Sequence, residues 1–245
     1  MKFLIFGGSG RLATELTKQL SRTNIFVTVP HEVADVTDET QVLHVLRTAN
    51  PDIVINCAGI LSPLAEREKL LARRVNFVGA AVVSRICSDL KIRLVHISTD
   101  CVFDGTDTPP YGYTEFASRN AVNNYGHTKS LGEVAVGINH PAALILRVPF
   151  RYRGPWPYPK AFIDAYQSSR WIDEVAPDII AVSMLWDVTG VLHIGGERKS
   201  IFQMAREASP EVLPCRLKDF TEFIVAEDRT LDSSKWKGIK KEYGL

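Results

Sequence analysis

The sequence lacks the features that would point to a membrane, a nucleic acid or a repetitive architecture. It has no run of about 18 apolar residues, so no membrane-spanning helix is expected. Its 29 basic and 28 acidic side chains give a net charge of +1, which offers no basis for binding nucleic acid or a membrane surface. We find no internal repeat, and we expect no targeting segment because the first apolar run is short and leads into glycines.

Cysteine is scarce, and its spacing does not suggest a metal site. The four cysteines, at positions 57, 87, 101 and 215, form no C-x-x-C pair, and the six histidines show no ligand pattern. This distribution predicts neither a zinc site nor a disulfide framework. We therefore expect reduced thiols, a cytoplasmic protein and no bound metal.

The first 150 residues contain a regular alternation of apolar strands and amphipathic helices. The strand candidates are "KFLIF", "NIFVTV", "PDIVINCAG", "IRLVHIST" and "AALILRV", and the helix after the first strand is "RLATELTKQLSR". Strands that are apolar throughout are typical of a parallel sheet covered on both faces. We therefore predict an α/β fold, a Rossmann-like doubly wound parallel sheet, with a dinucleotide-binding domain at residues 1–150.

The composition of the sequence and the length of its predicted elements change after this domain. The stretch "FRYRGPWPYPK" is rich in proline and aromatic residues, and later elements such as "VLHIGG" and "FIVAEDR" are short. We predict a small, shortened C-terminal substrate-binding lobe at residues 151–245, interleaved with the edge of the sheet.

The glycine-rich turn "GGSGRLA" follows the first predicted strand and opens the first helix. It fits G-x-G-x-x-A through Gly8, Gly10 and Ala13, and also G-x-x-G-x-x-A from Gly7. Residues without side chains let backbone N–H groups approach a pyrophosphate at the helix N-terminus, and the strand and helix around the turn favour this function over a purely structural one. Glu32 lies only approximately where an acid binds the ribose hydroxyls, so the choice between NADPH and NADH stays open.

A second group of polar residues is predicted at the same edge of the sheet. Ser98, Thr99 and Asp100 end an apolar strand, and the carboxyl ends of such strands face the ligand crevice. Tyr125 and Lys129 follow on the next helix, four residues apart and therefore on one face. The sequence predicts that a threonine, a tyrosine and a lysine converge on one carbonyl oxygen.

These residue types suit the reduction of a carbonyl group. Hydride transfer to a ketone leaves an alkoxide, which needs a proton donor within hydrogen-bond reach. We expect the Lys129 ammonium to lower the pKa of Tyr125, and we expect Thr99 to hold the oxygen as it gains charge. For the tyrosine and lysine alone, the alternative is a lysine stem packed over an aromatic ring.

Several stretches resemble the extended short-chain dehydrogenase/reductase family, and within it the dTDP-4-dehydrorhamnose reductases. They are "FGGSGRLATEL", "ADVTDETQVLHVLRTANPDIVINCAG", "RVNFVGA", "VHISTDCVFDGT", "YGHTKSLGE", "ILRV", "LHIGGE" and "LDSSK". The combination of "STD-x-VFDG" with "YG-x-(T/S)K-x-x-GE" is specific to this group, whereas the glycine turn is not.

The resemblance implies a role for each of the matching residues. Tyr125 would be the proton donor, Lys129 its partner and Thr99 the hydroxyl that orients the carbonyl. Thr99, Asp100 and Phe150 would contact the sugar. The positions implied for an NADPH or NADH cofactor are Gly7, Gly10, Arg11, Leu12, Asp35, Val36, Cys57, Ala58, Gly59, Ile60 and Leu61, together with Tyr125 and Lys129.

The sequence also departs from the family pattern. Cys101 stands where the family usually has tyrosine, and we interpret it as a small buried apolar residue. A family loop corresponds only loosely to "PDIIAVSM", at residues 177–184. Between Ser183 and Gly190 there is too little chain for the helix that the family has before its next strand, which is why we predict a shortened lobe.

The leading hypothesis is an NAD(P)H-dependent oxidoreductase that reduces the 4-keto group of a nucleotide-activated 6-deoxy sugar. The leading candidate for this substrate is dTDP-4-dehydro-L-rhamnose. Arg147, Arg151, Arg153 and Lys160 are candidates for binding its diphosphate, although surface solubility explains each equally well. The alternatives are an epimerase or dehydratase of the same family and a non-catalytic dinucleotide-binding subunit. The partners expected are the nucleotide sugar and, as a possibility, a second copy of the chain.

Overall fold

A computed structural model describes residues 1–20 and 25–245 of the chain. The predicted end of the first helix at Ser21 and Arg22 and the predicted start of the second strand at Asn24 lie outside the described residues. Along the described chain the helices and strands are β1 (Lys2–Phe6), α1 (Arg11–Leu20), β2 (Ile25–Val29), α2 (Glu39–Ala49), β3 (Ile53–Asn56), α3 (Leu64–Arg67), α4 (Lys69–Arg73), a π-helical stretch (Arg74–Gly79), α5 (Ala80–Asp89), β4 (Arg93–Ser98), α6 (Asn124–Asn139), β5 (Leu144–Arg147), β6 (Phe150–Arg151), β7 (Lys160–Phe162), β8 (Tyr166–Gln167), β9 (Arg170–Trp171), α7 (Ile172–Ser183), β10 (Gly190–His193), β11 (Lys199–Ser200), α8 (Ile201–Ala208), β12 (Leu213–Cys215) and α9 (Ser234–Tyr243).

The central sheet has six parallel strands in the order β10-β5-β4-β3-β1-β2. Its order reverses between β1 and β3, so the crevice at the carboxyl ends of these two strands is where ligands of doubly wound sheets bind. The predicted Rossmann-like fold class is confirmed.

Both faces of the sheet are covered, because successive side chains of each strand point to opposite sides. Phe3 and Ile5 of β1 pack with α1 and α7 in one core. Leu4 and Phe6 pack with α2, α5 and α6 in the other. Since β3, β4 and β5 are buried along their whole length, their apolar sequences require helices on both sides.

Helix α7 corrects the prediction made for residues 177–184. Residues 177–183 belong to α7, which is the helix that precedes β10. This helix ends at Ser183 rather than lying between Ser183 and Gly190, so the prediction that the chain lacks it is wrong. Val175, Ile179 and Val182 of α7 are fully buried in the core shared with α1. Their burial outweighs the effect of Pro177, which lacks the N–H that an interior helical residue donates.

The later part of the chain is divided between the sheet and small local structures. Residues 172–193 contain helix α7 and strand β10, and β10 belongs to the central sheet. The remaining strands form three two-stranded sheets, in which β6 pairs with β9, β7 with β12 and β8 with β11. A small core that includes Ala161, Ala165, Met204 and Ala205 packs α8 against β7. A domain boundary at residue 150 stays a prediction.

None of the described helices is long and apolar enough to cross a membrane. Within residues 1–20 and 25–245, no cluster of three or more His, Cys, Asp or Glu side chains is placed to hold a metal ion.

Candidate active site

The glycine turn between β1 and α1 packs closely on the end of β3. Gly7 has φ +73, and a Cβ there would fall 2.8 Å from the Ala58 backbone nitrogen. The Gly10 N–H donates to the Gly7 carbonyl at 2.9 Å, which closes the turn just before α1 begins. The start of α1 lines the crevice of the sheet, so the free N–H groups of its first turn can stabilise an anion there.

A cavity of about 370 Å³ lies in front of this turn, across the carboxyl ends of the strands. Of the residues that the sequence assigned to the site, those that line the cavity are Gly10, Arg11, Leu12, Cys57, Ala58, Gly59, Leu61, Thr99, Asp100, Tyr125, Lys129 and Phe150. The structure thus brings together residues from the glycine turn, the ends of β3 and β4, and α6.

Four of the assigned residues are outside the lining of this cavity: Gly7, Asp35, Val36 and Ile60. Asp35 accepts hydrogen bonds from the Thr37 N–H and hydroxyl, each at 2.9 Å. Val36 is buried. The Ile60 backbone exchanges two hydrogen bonds with the Asn76 side-chain amide, at 2.7 and 3.0 Å. A cofactor role for these residues stays a prediction.

Thr99 is held at the tip of β4 by local hydrogen bonds. Its hydroxyl donates to the Asp100 carboxylate at 3.1 Å and accepts from the Cys101 N–H at 3.2 Å, which caps the short 3₁₀ turn that follows. The side chain is therefore fixed in the cavity wall with its oxygen near the end of the strand.

Tyr125 reaches the same wall because α6 begins unusually close to that turn. A Cβ on Gly126 would lie only 2.0 Å from the Cys101 carbonyl oxygen, so glycine is required at this contact. Asn123 caps the helix by accepting from the Gly126 N–H at 2.9 Å, and Glu66 accepts from the Tyr125 N–H at 3.0 Å. These contacts fix the first turn of α6 against the strand end.

Lys129 is buried one turn further along α6, and its Nζ donates to the Ile97 carbonyl of β4 at 2.6 Å. Burial lowers the pKa of Lys129 to about 8, against an opposing effect of the Glu133 charge. The ammonium is therefore present at neutral pH and is lost in mildly alkaline solution.

The expected lowering of the Tyr125 pKa is wrong for this site. Burial raises the pKa of the phenol, the charges around it at Cys101 and Asp100 act in the same direction, and a hydrogen bond with Thr99 opposes them. The Lys129 ammonium is directed at a backbone carbonyl, so desolvation of the phenol dominates. Tyr125 is accordingly a fully protonated phenol at neutral pH.

A buried ionic network lies behind the cavity wall. The Glu133 carboxylate accepts from Arg147 at 2.9 and 2.7 Å, from Ser98 at 2.5 Å and from Arg119 at 3.2 Å. Arg147 is only 2% exposed, so it is not available to a diphosphate, which corrects that candidate assignment. The network instead fixes Ser98, the residue before Thr99.

The other three candidate basic residues are also absent from the lining of the cavity. Arg151 donates to Glu207, and Arg153 donates to Asp173 and Glu174. Lys160 is exposed at the start of β7.

Several residues that line the cavity were missed by the sequence analysis, among them Tyr152, Gln167 and Arg229. The Arg11 guanidinium lies over the Tyr152 ring, 4.3 Å from its centroid, and so connects the glycine turn to the later part of the chain. Arg229 donates to the Cys101 sulfur at 2.8 Å, so Cys101 is more than a small apolar filler. The one available signal was the position of Arg229 just before the matching stretch "LDSSK".

The doubly wound sheet, the glycine turn after its first strand and the cavity at the strand ends define a Rossmann-like protein of the dinucleotide-binding class. Within that class, residues 1–169 match the RmlD substrate binding domain, and the chain belongs to this family. The resemblance found in the sequence is thereby confirmed.

Individual relatives agree with this membership. A dTDP-4-keto-6-deoxy-D-glucose reductase of Streptomyces niveus is 38% identical over 137 residues, which make up 55% of this chain and 47% of that protein. A dTDP-4-dehydrorhamnose reductase of Mycolicibacterium smegmatis is 35% identical over 156 residues, 62% of this chain and 46% of that protein. The chain therefore spans about half the length of these curated relatives.

The fold also agrees with solved structures. The crystal structure of a dTDP-4-dehydrorhamnose reductase from Bacillus anthracis in complex with NADP superposes with a TM-score of 0.88 at 23% identity. The match covers 100% of this chain and 93% of that one. At this level of identity, the likeness establishes the fold.

Proposed function

We propose that the protein is an NAD(P)H-dependent reductase of the 4-keto group of a nucleotide-activated 6-deoxy sugar. One observation carries the proposal: Thr99, Tyr125 and Lys129 line the same cavity as the glycine turn. A carbonyl-orienting hydroxyl, a proton donor and a cation thus lie beside a backbone site suited to a pyrophosphate.

The residues present fit a nicotinamide dinucleotide. Gly10 carries no side chain at the N-terminus of α1, and the nearest atom to a Cβ there would be the Gly7 carbonyl oxygen at 3.0 Å, so the space in front of the helix is otherwise open. Gly10, Arg11 and Leu12 would hold the pyrophosphate, and Cys57 to Leu61 would line the channel towards the nicotinamide. When bound, the reduced cofactor supplies the hydride.

The protein's own side chains would hold the carbonyl oxygen and supply the proton. The Thr99 hydroxyl would hold the carbonyl oxygen as negative charge develops on it. The protonated phenol of Tyr125 would then give its proton to that oxygen. The Lys129 ammonium, which lines the same cavity, would favour the phenolate left behind, since a nearby opposite charge stabilises the ionised form.

For the substrate we propose dTDP-4-dehydro-L-rhamnose, with NADPH or NADH as the reductant. The names of the relatives from Mycolicibacterium smegmatis and Streptomyces niveus support a dTDP-bound 4-keto-6-deoxy hexose. Those two names differ in the sugar configuration, which a 3,5-epimerase would change. We further propose that residues 151–245 act as the substrate-binding lobe and that the protein is cytoplasmic, in keeping with its four free cysteines.

The experiment is oxidation of NADPH and, in parallel, NADH on mixing with enzymatically prepared dTDP-4-keto-6-deoxy-D-glucose, with and without a 3,5-epimerase. Turnover that requires the epimerase supports the rhamnose reductase, and turnover without it supports the unepimerised sugar. Binding of cofactor with no turnover of either sugar would contradict the proposal and favour a non-catalytic subunit.

The Gly10→Val variant tests the cofactor site separately. Its side chain would occupy the space in front of α1, so we expect NADPH binding, followed by fluorescence, to be lost while the fold is retained. Unchanged affinity would mean that the glycine turn is only structural.

A further inference from the structure

A charged pair in the cavity wall is close enough for a strong interaction but makes no hydrogen bond. The Nε atom of Arg229 lies 3.7 Å from the Asp100 Oδ2 atom, and the two side chains are 12% and 5% exposed. The other two nitrogens of the guanidinium are fixed. Nη1 donates to the Cys101 sulfur at 2.8 Å, and Nη2 donates to the side-chain amide oxygen of Gln167 at 3.0 Å. Both charged residues line the cavity.

The two facing atoms are left unsatisfied. Within the described part of the chain, neither Arg229 Nε nor Asp100 Oδ2 has a hydrogen-bond partner, although both atoms are buried. The two charges attract each other at 3.7 Å, and because buried polar groups in native proteins are nearly always hydrogen-bonded, the pair can take up one further bonding group between the two atoms. The opposite carboxylate oxygen, Oδ1, is already used by the Thr99 hydroxyl.

The chemistry of the pair specifies the missing group. Arg229 Nε–H can only donate and the ionised carboxylate can only accept, so the complementary group must do both. A hydroxyl oxygen at roughly 2.8 Å from each atom accepts from Nε–H and donates to Oδ2. A carboxylate or phosphate on the ligand would be repelled by Asp100, and an amine would be repelled by Arg229.

The position of the pair identifies which hydroxyl it would bind. Asp100 is bonded to Thr99, the residue proposed to hold the reacting carbonyl oxygen, so the hydroxyl belongs next to that carbonyl. In a 4-keto-6-deoxy hexose the neighbours of the keto carbon are C3, which carries a hydroxyl, and C5, which carries the methyl group. The family resemblance already implies a contact between Asp100 and the sugar. We infer that Arg229 joins Asp100 in binding the C3 hydroxyl and makes the protein specific for substrates that carry this hydroxyl. This inference rests on the proposed function.

The test compares the binding of two sugar nucleotides to the NADP⁺-loaded protein by calorimetry. They are dTDP-L-rhamnose and its 3-deoxy analogue, neither of which carries a keto group to be reduced. We expect the wild-type protein to bind the hydroxylated ligand about 10- to 100-fold more tightly, as for hydrogen bonds to charged groups. Arg229→Gln should bring this ratio close to one, and Arg229→Lys, which keeps a cationic donor, should restore part of it.

Arg198→Gln is the matched control. Arg198 is 48% exposed and bonds Asp228, the residue before Arg229, so its removal disturbs the same segment without touching the cavity wall. This variant should keep the wild-type preference for the hydroxylated ligand. Thermal melting of each variant separates lost specificity from lost folding.

The outcomes separate this inference from the proposed function. Turnover of the keto sugar by the wild-type protein together with equal affinity for the two ligands overturns the hydroxyl site and leaves the reductase intact. A preference that Arg229→Gln abolishes, in a wild-type protein without turnover, supports the hydroxyl site and contradicts the reductase. Arg229→Gln weakening both ligands equally indicates a structural role for Arg229 and overturns the inference, as does binding of neither ligand by the wild-type protein.

Discussion

Replacing Glu133 with glutamine should remove a large part of the protein's stability while changing hardly any volume. The carboxylate receives two hydrogen bonds from Arg147 and one from Ser98, and Glu133 and Arg147 are each only 2% exposed. The neutral amide leaves the Arg147 cation buried beside His193, whose pKa is lowered to about 3 by burial and by the Arg147 charge. A neutral imidazole cannot replace the lost carboxylate.

The magnitude follows from the burial of the pair. Breaking a buried ion pair by removing one partner destabilises a protein by about 3–5 kcal/mol. For a chain of this size each kcal/mol shifts Tm by about 2–4 °C, so Glu133→Gln should lower Tm by roughly 6–20 °C in calorimetry. Arg119→Gln is the matched control: Arg119 bonds the same carboxylate, but its side chain is 31% exposed. Its loss should therefore change stability by about 1 kcal/mol or less.

The ionisation of Glu133 should also make the stability of the protein depend on pH, in a direction that follows from its pKa. Burial acts to raise the pKa of Glu133, but the hydrogen bonds and charges of Arg147, Ser98 and Arg119 outweigh it and hold that pKa below its ordinary value. A lowered folded-state pKa gives stability that is present above the unfolded-state pKa and is lost as the pH falls through the folded-state value. The stability gap between wild type and Glu133→Gln should therefore close in acid. A gap under 1 kcal/mol at pH 7, or one that widens in acid, would refute this reasoning.

Further predictions concern Tyr125 and Lys129, the proposed catalytic residues, and two glycines of α6. Tyr125→Phe should keep NADPH binding but lose turnover by orders of magnitude, because no proton donor remains; an unchanged rate would remove Tyr125 from the mechanism. With a pKa of about 8, Lys129 should lose its proton in mild alkali, so kcat should fall as the pH rises through 8 and Lys129→Arg should move that decline to higher pH. Gly137→Ala should stabilise the protein by up to about 1 kcal/mol in denaturant titrations, because a Cβ there meets nothing within 4 Å. Gly132→Ala should instead be destabilising, since its Cβ would lie 2.4 Å from a backbone oxygen, and equal effects of the two substitutions would contradict this packing.

Five of the six strands of the sheet were predictable because each carries its own signal, whereas β10 was placed in the C-terminal lobe. β3, β4 and β5 are buried along their whole length, and a strand of this kind is recognisable in the sequence as an apolar run flanked by turn residues. Helix α7 was missed because residues 177–184 were matched to a family loop, and Pro177 gives this segment no local helix signal. What makes the segment helical is packing of residues such as Ile179 against the core shared with α1, which lies more than 150 positions earlier in the chain.

The residues of the site were predictable where they are close in sequence to a strand end or a helix start. Thr99 follows β4 directly, and Tyr125 and Lys129 lie on α6, so their meeting follows from the parallel topology. Arg229 was not predictable in this way, because its contact with Cys101 spans 128 residues and depends on how the later chain crosses the cavity. Spacing predicts neighbours on one element, whereas a contact of this kind is decided by tertiary packing.

The raised pKa of Tyr125 bears on the direction of the reaction. The spacing of Tyr125 and Lys129 on a helix predicts that their side chains are neighbours, but it does not predict how far the phenol is buried. In the folded protein, burial is the largest influence on the Tyr125 pKa. A reductase must begin its cycle with the proton on the tyrosine, whereas the reverse oxidation must begin with a phenolate. Because a developing alkoxide is a stronger base than a phenolate, the proton can still move from Tyr125 to the sugar oxygen in the proposed reduction, although burial makes the phenol a weaker acid.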